Sequence, residues 1–570
     1  MNKIVTSSRE LRPGLLLSYT PKLLSVLREG YDARDLRADA VAGMTVAIVA
    51  LPLSMAIAIA SGATPTQGLY TSIFGGFLVS ALGGSRFQIG GPAGAFIVLV
   101  AATVAQHGIE GLILATCLSG MMLTLVGMLR LGSFVQFVPF PVTVGFTAGI
   151  AVIIFVSQIK DLLGLSLPHE PGELIGRLLA LWSARDSFTP AAFGLALVTI
   201  VLILTLRRLR PHWPGMLIAI ILASLAAACL ALPVETIGSR FGGIPSALPR
   251  PALPDLSVQK VVEVFPAALA FTLLGAIESL LSAVVADGMT GRRHRPNCEL
   301  VAQGLANIGS ALFGGFCVTG TVARTATNVR AGAHGPVSGM LHAVFLLLFV
   351  LIAAPLAAYI PLAALAGVLA VVAWNMIDRA AIGILARSGL GEGVVLTSTF
   401  LLTIFRDLIE AIVVGIALGS VIFIQRIVRT TSVESGAASA SAPSPLEQGT
   451  VPAGDLDILI YRINGPIFFG AAGSISSVLE RIHESQSALI LDLAGVPVLD
   501  ATGANMIADL ARKARRQGVS LWVAGANPAL RRGLLLHGLR PPLCRHASSV
   551  EKAIARQRAA NAAAPKVDRG

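Results

Sequence analysis

Apolar runs bounded by glycine, proline and charge fill about the first 430 residues of the chain. They predict membrane spans over 38–60, 67–83, 92–105, 109–128, 133–157, 188–207 and 213–231, and a second set over 260–286, 298–314, 322–334, 337–355, 361–378, 390–405 and 406–427. A full crossing takes about twenty residues, so 92–105 and 322–334 are too short. Each short run holds the third place in its set. Each also follows a glycine-rich approach, Gly84-Ser-Arg-Phe-Gln-Ile-Gly-Gly-Pro92 and Gly314-Gly-Phe-Cys-Val-Thr-Gly320. Short, interrupted segments in matching places of two halves mark the binding site of an inverted-repeat transporter. With seven spans per half, an odd number, the second half is inverted relative to the first. Residues 173–183 are too short and polar to span and read as an interfacial helix, and the proline-rich 232–259 reads as an extracytoplasmic loop.

Beyond the last span the pattern changes. Residues 428–452 carry Ser, Ala, Gly and Pro and read as a flexible linker. Strand-like 457–463, 488–493 and 521–524 alternate with helical 502–517 and 527–537, which predicts a small α/β domain. The expected organisation is therefore a cytoplasmic segment 1–37, a first repeat 38–231, a loop 232–259, a second repeat 260–427, the linker, a domain 453–560 and a tail 561–570.

Composition agrees with this pattern. Hydrophobic residues make up 54% and charged residues 13%, against roughly 45–50% and 25% in soluble domains; the mean hydropathy is +0.77. The net charge of +12 gathers in Arg207, Arg208 and Arg210, in Arg292, Arg293 and Arg295, and in Arg426 and Arg429. Basic residues collect on cytoplasmic loops. With both termini inside, all three groups fall on that side, and nucleic acid is not needed to explain them. The basic stretch to Arg37 does not have the pattern of a cleavable signal. Cys117, Cys229, Cys298, Cys317 and Cys544 form no CxxC pair, so neither a disulfide scaffold nor a metal site is expected.

The candidate chemistry sits in the two breaks and in one acid. Glu278 lies in the apolar run 265–286, and an ionisable side chain at bilayer depth is a functional candidate by default. A polar cluster follows at 319–328, holding Thr321, Arg324, Thr325 and Asn328. A helix that starts in mid-membrane leaves its first N–H groups unpaired and presents the positive end of its dipole. Two such ends cradle an anion without a full charge. Gly90, Gly91 and Gly320 permit close backbone approach, Pro92 suits a first helical position, and Thr321, Thr325 and Ser282 offer hydroxyls. Arg324 either adds positive potential to the anion path or anchors neighbouring carbonyls. An apolar setting lets a carboxyl group carry a proton, so Glu278 suits proton coupling. Na+ is the competing ion, because a carboxylate beside Ser282 and backbone carbonyls can hold a hard cation. No Walker A run, HExxH spacing or other catalytic set is present, so an enzyme is not expected. His107 falls at an outer helix end and reads as interfacial.

Several stretches resemble the SulP family of anion transporters. They are Ala42-Gly-Met-Thr-Val-Ala-Ile-Val-Ala-Leu-Pro52, Gly68-Leu-Tyr70, Gly90-Gly-Pro92, Ile277-Glu278-Ser279-Leu280, Asp287-Gly-Met-Thr-Gly291 and the run from Thr321 to Gly332. The likeness covers nearly the whole chain. It implies a polytopic α-helical membrane protein of 14 spans, a 7+7 inverted repeat with core and gate domains, followed by a small cytoplasmic α/β STAS domain. It also implies a homodimer in the bacterial inner membrane, and no cofactor. The family's substrate positions fall on Gly91, Pro92 and Ala93 and on Gly320, Thr321, Val322 and Ala323, with Glu278 and Ser282 between them. Arg324, Thr325 and Asn328 support the second break. Within the family the chain is similar to the aerobic C4-dicarboxylate transporters, through Gly367-Val-Leu-Ala-Val-Val-Ala-Trp-Asn-Met376 and Ile463-Asn-Gly-Pro-Ile-Phe-Phe469 as well as the Glu278 segment. Proton-coupled uptake of succinate, fumarate or aspartate is thus the leading expectation, with sulfate or bicarbonate, Na+-coupled or not, as the alternative. A membrane-anchored interaction protein without transport is the alternative of another class. The Na+-coupled bicarbonate branch has Asp and Thr where this chain has Glu278 and Ser282. The STAS loop reads Asp500-Ala501-Thr502-Gly503. Alanine stands at the position that is a phosphorylated serine in bacterial regulatory relatives, which favours docking to a cytoplasmic partner or a stabilising role.

Overall fold

The computed structural model describes residues 19–132, 139–167, 171, 174–210, 213–406, 408–430, 432–437, 458–467 and 487–563. The chain forms two units, Met1–Ala417 and Leu418–Gly570. In the first unit the helices run α1 Lys22–Glu29, α2 Ala33–Ala60, α3 Pro65–Tyr70, α4 Gly76–Leu82, α5 Ile97–Met128, α6 Phe140–Leu163, α7 Leu174–Ser183, α8 Pro190–Leu209, α9 Gly215–Cys229 and α10 Ile237–Phe241. They continue as α11 Val258–Thr290, α12 Pro296–Leu312, α13 Val322–Arg330, α14 Val337–Ala357, α15 Leu362–Met376, α16 Arg379–Ser388, α17 Leu390–Phe405 and α18 Leu408–Thr430, the last crossing the unit boundary. Among the described residues, eight helical stretches are long and apolar enough to cross a membrane, and α7, α9 and α17 are shorter apolar helices. The protein is a multi-pass α-helical membrane protein.

Local chemistry sets the helix boundaries. Asp32 caps α2 by accepting from the backbone of Arg34 and Asp35 at 2.8 and 2.9 Å, and Asp35 returns the bond in a capping box. Thr64 and Gln67 do the same for α3, with Pro65 at its first turn. Between α3 and α4 the chain widens into a π turn, Thr71–Gly75, a feature common at functional sites. The runs 92–105 and 109–128 appear as a 3-10 turn, Gly94–Phe96, leading into α5, which breaks at Gly108 with φ 69° and ψ −174°. The run expected from 133 begins helically at Phe140 and continues through Lys160 to Leu163, past the polar residues at which apolar counting stops; 133–138 lie outside the described residues. Helix α16 was not expected. Asp378 caps it through the backbone of Ala381 at 2.9 Å, and Arg379 stacks 3.8 Å above the Trp374 ring.

A strap at the start of the described chain ties down one end of these helices. The Lys22 N–H donates to Gly83 O at 2.9 Å, Arg295 donates to Thr20 O and Ser25 Oγ at 2.5 and 3.1 Å, and Arg86 pairs with Glu29. The buried Asp39 carboxylate accepts from Tyr31 Oη at 2.8 Å and from the backbone of His334 and Gly335 at 2.6 and 3.0 Å. It thereby supplies negative charge at the start of α14. Burial and this bond push the Tyr31 hydroxyl above its ordinary value, so it stays a donor.

In the second unit five strands lie in the order β3 Ser432–Ala437, β4 Ile458–Asn464, β5 Ala488–Gly495, β6 Ser520–Ala524 and β7 Arg545–Ala547, numbered after the short pair β1–β2 described below. Strand β3 is antiparallel to β4 and the remaining neighbours are parallel. The stretch expected to be linker, 428–452, instead holds the end of α18 and the strand β3, which forms because β4 offers it an edge to pair with; 431 and 438–452 lie outside the described residues. Helices Ala501–Arg516, Pro528–Leu536 and Val550–Ala563 complete the unit. Leu489, Leu491, Ile507, Leu510, Leu521 and Val523 form its core.

Candidate anion site at the two helix breaks

The two glycine-rich approaches meet. Gly90–Gly91 (β1) and Thr319–Gly320 (β2) form an antiparallel pair in which Gly90 faces Gly320 and Gly91 faces Thr319. The Thr321 N–H extends the pairing to Ile89 O at 3.0 Å. Each chain then stays extended for a residue, Ala93 at φ −108° and ψ 145° and Thr321 at φ −99° and ψ 124°, before it turns helical. Neither position gives its helix a side-chain cap. The first N–H groups of each helix have no intrahelical acceptor. On α13 these belong to Val322, Ala323 and Arg324; Val322 and Ala323 are exposed while Thr321 and Ala93 are buried.

Each break is braced by a polar side chain from the other. A Cβ on Gly91 would lie 2.0 Å from Arg324 Nη1, and one on Gly320 would lie 1.4 Å from Gln88 Nε2. These two glycines leave room for the opposite side chain. Arg324 is 1% exposed and donates to Ser72 Oγ, Ser54 Oγ and Pro92 O at 3.1, 3.1 and 3.4 Å. Ser72 comes from the π turn, and Ser54 from α2 two residues after Pro52, whose missing N–H interrupts that helix. Nη1 and Nη2 are thus held by protein acceptors, while Nε is buried with no partner among the described residues.

The remaining site residues divide between the brace and the open side. Ser282 Oγ donates to Thr325 Oγ1 at 3.0 Å, and Thr325 Oγ1 also accepts from the Ile89 N–H at 3.2 Å. Asn328 donates to Phe87 O and Ser338 Oγ, both at 2.9 Å. Glu278 is half-buried and has no hydrogen-bond partner among the described residues. Gln88, Ser54 and Ser72 were not singled out in the sequence; a serine beside a mid-helix proline and a glutamine inside a glycine-rich approach were the available signals. Nor were Ile154 and Met376, which stand 3.3 and 3.6 Å from the point a Cβ on Gly94 would occupy and so wall the first break. Those two gave no signal, being ordinary apolar residues of α6 and α15.

Two larger cavities lie elsewhere. One of about 700 Å³ is lined by His107, Glu110, Arg250, Asp255 and Lys260 among others. The second, of about 650 Å³, is apolar and runs between α2, α9 and α14. Neither includes the cradle residues. Among the described residues no group of three or more His, Cys, Asp or Glu is placed to hold a metal ion.

Two uncapped helix starts lie side by side inside a multi-pass helical protein of the anion-transporter class. The chain belongs to the Sulfate permease family, whose model matches residues 36–399, and a STAS domain matches 452–553. It is 39% identical over 503 residues to "Putative sulfate transporter YvdB" of Bacillus subtilis (strain 168), covering 87% of this chain and 93% of that one. It is 31% identical to "Bicarbonate transporter BicA" of Synechocystis sp., covering 88% and 90%. The solved transmembrane domain of a cyanobacterium bicarbonate transporter BicA superposes with a TM-score of 0.61 at 33% identity, over 67% of this chain and 98% of that one.

Proposed function

We propose that this protein carries a small inorganic oxyanion, sulfate or bicarbonate, across the bacterial inner membrane by alternating access. The paired, uncapped helix starts carry the reading. The first N–H donors of both helices follow the paired strands, with the buried Arg324 guanidinium beside them, which suits a compact anion with several acceptor oxygens. The relatives bear the names of a putative sulfate transporter and a bicarbonate transporter, which supports these substrates over the C4-dicarboxylates that the sequence motifs favoured. Gly91, Pro92, Ala93, Gly320, Thr321, Val322 and Ala323 form the substrate site. In this reading the helices form a 7+7 inverted repeat with domains bounded as the hydropathy pattern has them, and the core carrying both breaks moves against a gate that includes Ile154 and Met376. Both termini are cytoplasmic, the protein is a homodimer, and the STAS domain docks a cytoplasmic partner. Glu278 couples transport to H+. Its lack of a hydrogen-bond partner among the described residues supports that role, and a Na+ site beside Ser282 is the alternative.

The test is thermal stabilisation of the purified protein by sulfate, bicarbonate, succinate, fumarate and aspartate, followed by flux in proteoliposomes. Stabilisation and uptake with sulfate or bicarbonate are expected; a response to dicarboxylates alone overturns the substrate. Glu278→Gln should retain anion binding and lose uptake driven by a pH gradient. Native uptake driven only by a Na+ gradient overturns the proton version.

A further inference from the structure

Gln88 makes contacts that the anion site does not account for. Its side chain is 3% exposed and lies across Gly320, where a Cβ would come within 1.4 Å of Nε2, 2.3 Å of Cδ and 2.7 Å of Cγ. Nε2 donates to both Ser279 O and Ser279 Oγ, at 3.1 and 3.0 Å. A main-chain carbonyl only accepts, so the amide nitrogen must face Ser279 and the amide orientation is fixed. That leaves Oε1 buried with no partner among the described residues, a cost that an apolar side chain of the same size would avoid. Ser279 directly follows Glu278 on α11.

The neighbouring residue completes a junction. Ile89 joins α13 through Thr321 N and Thr325 Oγ1, and Thr325 returns to α11 through Ser282. Residues 88 and 89 are therefore one junction between the second break and the Glu278 helix, beside the direct bonds Thr319 Oγ1 to Gly275 O and Ser282 Oγ to Thr325 Oγ1, and the Gln88 amide is their bond to the turn of α11 that carries Glu278. We infer that Gln88 is a positioning residue for the coupling step: it sets the register of Glu278 against the second break, so that loading of the coupling ion and of the anion remain linked. This rests on the reading of Glu278 as the coupling group.

The experiment compares Gln88→Met, which keeps length and removes both donated bonds, with Gln88→Glu, Ser279→Ala and Glu278→Gln in full-length protein reconstituted in proteoliposomes. Anion KM and maximal uptake are read separately across external pH, under imposed H+ and Na+ gradients, with detergent melting as a check on folding. Losing one buried bond commonly changes an equilibrium on the order of tenfold. Gln88→Met is expected to cut gradient-driven uptake on the order of tenfold and to shift its pH midpoint. Ser279→Ala, which removes one of the two acceptors, should give a smaller effect, and the double variant should be no worse than Gln88→Met alone. Gln88→Glu is expected to recover part of the uptake at acid pH, where its protonated carboxyl can again donate to Ser279 O. If Gln88→Met melts and takes up anion as the native protein does, or lowers uptake at every pH equally with no shift in midpoint, the inference is overturned. A Glu278→Gln variant that keeps its pH-driven uptake refutes the coupling reading itself, and with it this one. Loss of coupling in Glu278→Gln with a native profile in Gln88→Met refutes the positioning role alone.

Discussion

Gly91→Ala tests whether the two breaks are braced as the geometry requires. The added methyl would meet Arg324 Nη1 at 2.0 Å and Cζ at 2.9 Å, where ordinary contact begins near 3.4 Å. The guanidinium has to retreat by about 1.4 Å, and at 1% exposure it has no solvent to retreat into. Its bond from Nη1 to Ser72 Oγ, now 3.1 Å, then breaks, and the one from Nη2 to Ser54 Oγ is strained or lost with it. Bonds to a charged group contribute about 1.5–3 kcal/mol each, so losing one to two of them costs about 2–5 kcal/mol after some relaxation. The assay is equilibrium denaturation and thermal melting of the detergent-solubilised protein, read beside anion affinity. Both should fall, because the same movement shifts the field that Arg324 places on the cradle. Combining Gly91→Ala with Arg324→Lys separates steric displacement from a general defect, since lysine has no branched tip to collide with the methyl. The pair should be at least about 1 kcal/mol more stable than the sum of the single effects. Strict additivity, or a Gly91→Ala protein with native stability and affinity, would refute the brace.

Other perturbations address separate parts of the molecule. Thr321→Leu and Ala93→Leu should still insert, since leucine adds to the apolar content of the spans, yet lose most anion affinity; normal affinity in both moves the substrate elsewhere, and lost monodispersity points to overpacking at these buried positions instead. Asp39→Ala strands the Tyr31 hydroxyl and two backbone N–H donors at the start of α14. It should destabilise the protein by about 2–4 kcal/mol, against about 1 kcal/mol for Tyr31→Phe, both read by denaturation in detergent; equal effects would contradict the shared-carboxylate geometry.

How much of this was legible beforehand follows from what each feature depends on. The apolar runs, the two short segments, their glycine-rich approaches and the isolated Glu278 are visible in one dimension. A bilayer requires about twenty consecutive apolar residues per crossing and penalises any polar interruption, so each exception marks itself. The α/β alternation after residue 457 is equally local, because strand and helix periods differ within a few residues. Boundaries were less legible where a helix runs beyond its apolar stretch, as α6 does through Lys160, or starts on a side-chain cap, as α16 does at Asp378.

The tertiary structure alone decided which residues meet across the breaks. The sequence shows a glycine at 91 and another at 320 but not that Arg324 fills the space beside the first and Gln88 the space beside the second. It shows hydroxyls at 282 and 325 without their bond to each other, and an arginine at 324 without Ser54 and Ser72, which lie some 250–270 positions away along the chain. Likewise β3 became a strand because β4 offered it an edge, while the Ser- and Gly-containing stretch read locally as linker. Hydropathy and periodicity are sums over neighbours in the chain, and they marked the apolar helices and the places where those helices are interrupted. A hydrogen bond between distant side chains depends on how the helices pack, and only packing could assign its partner.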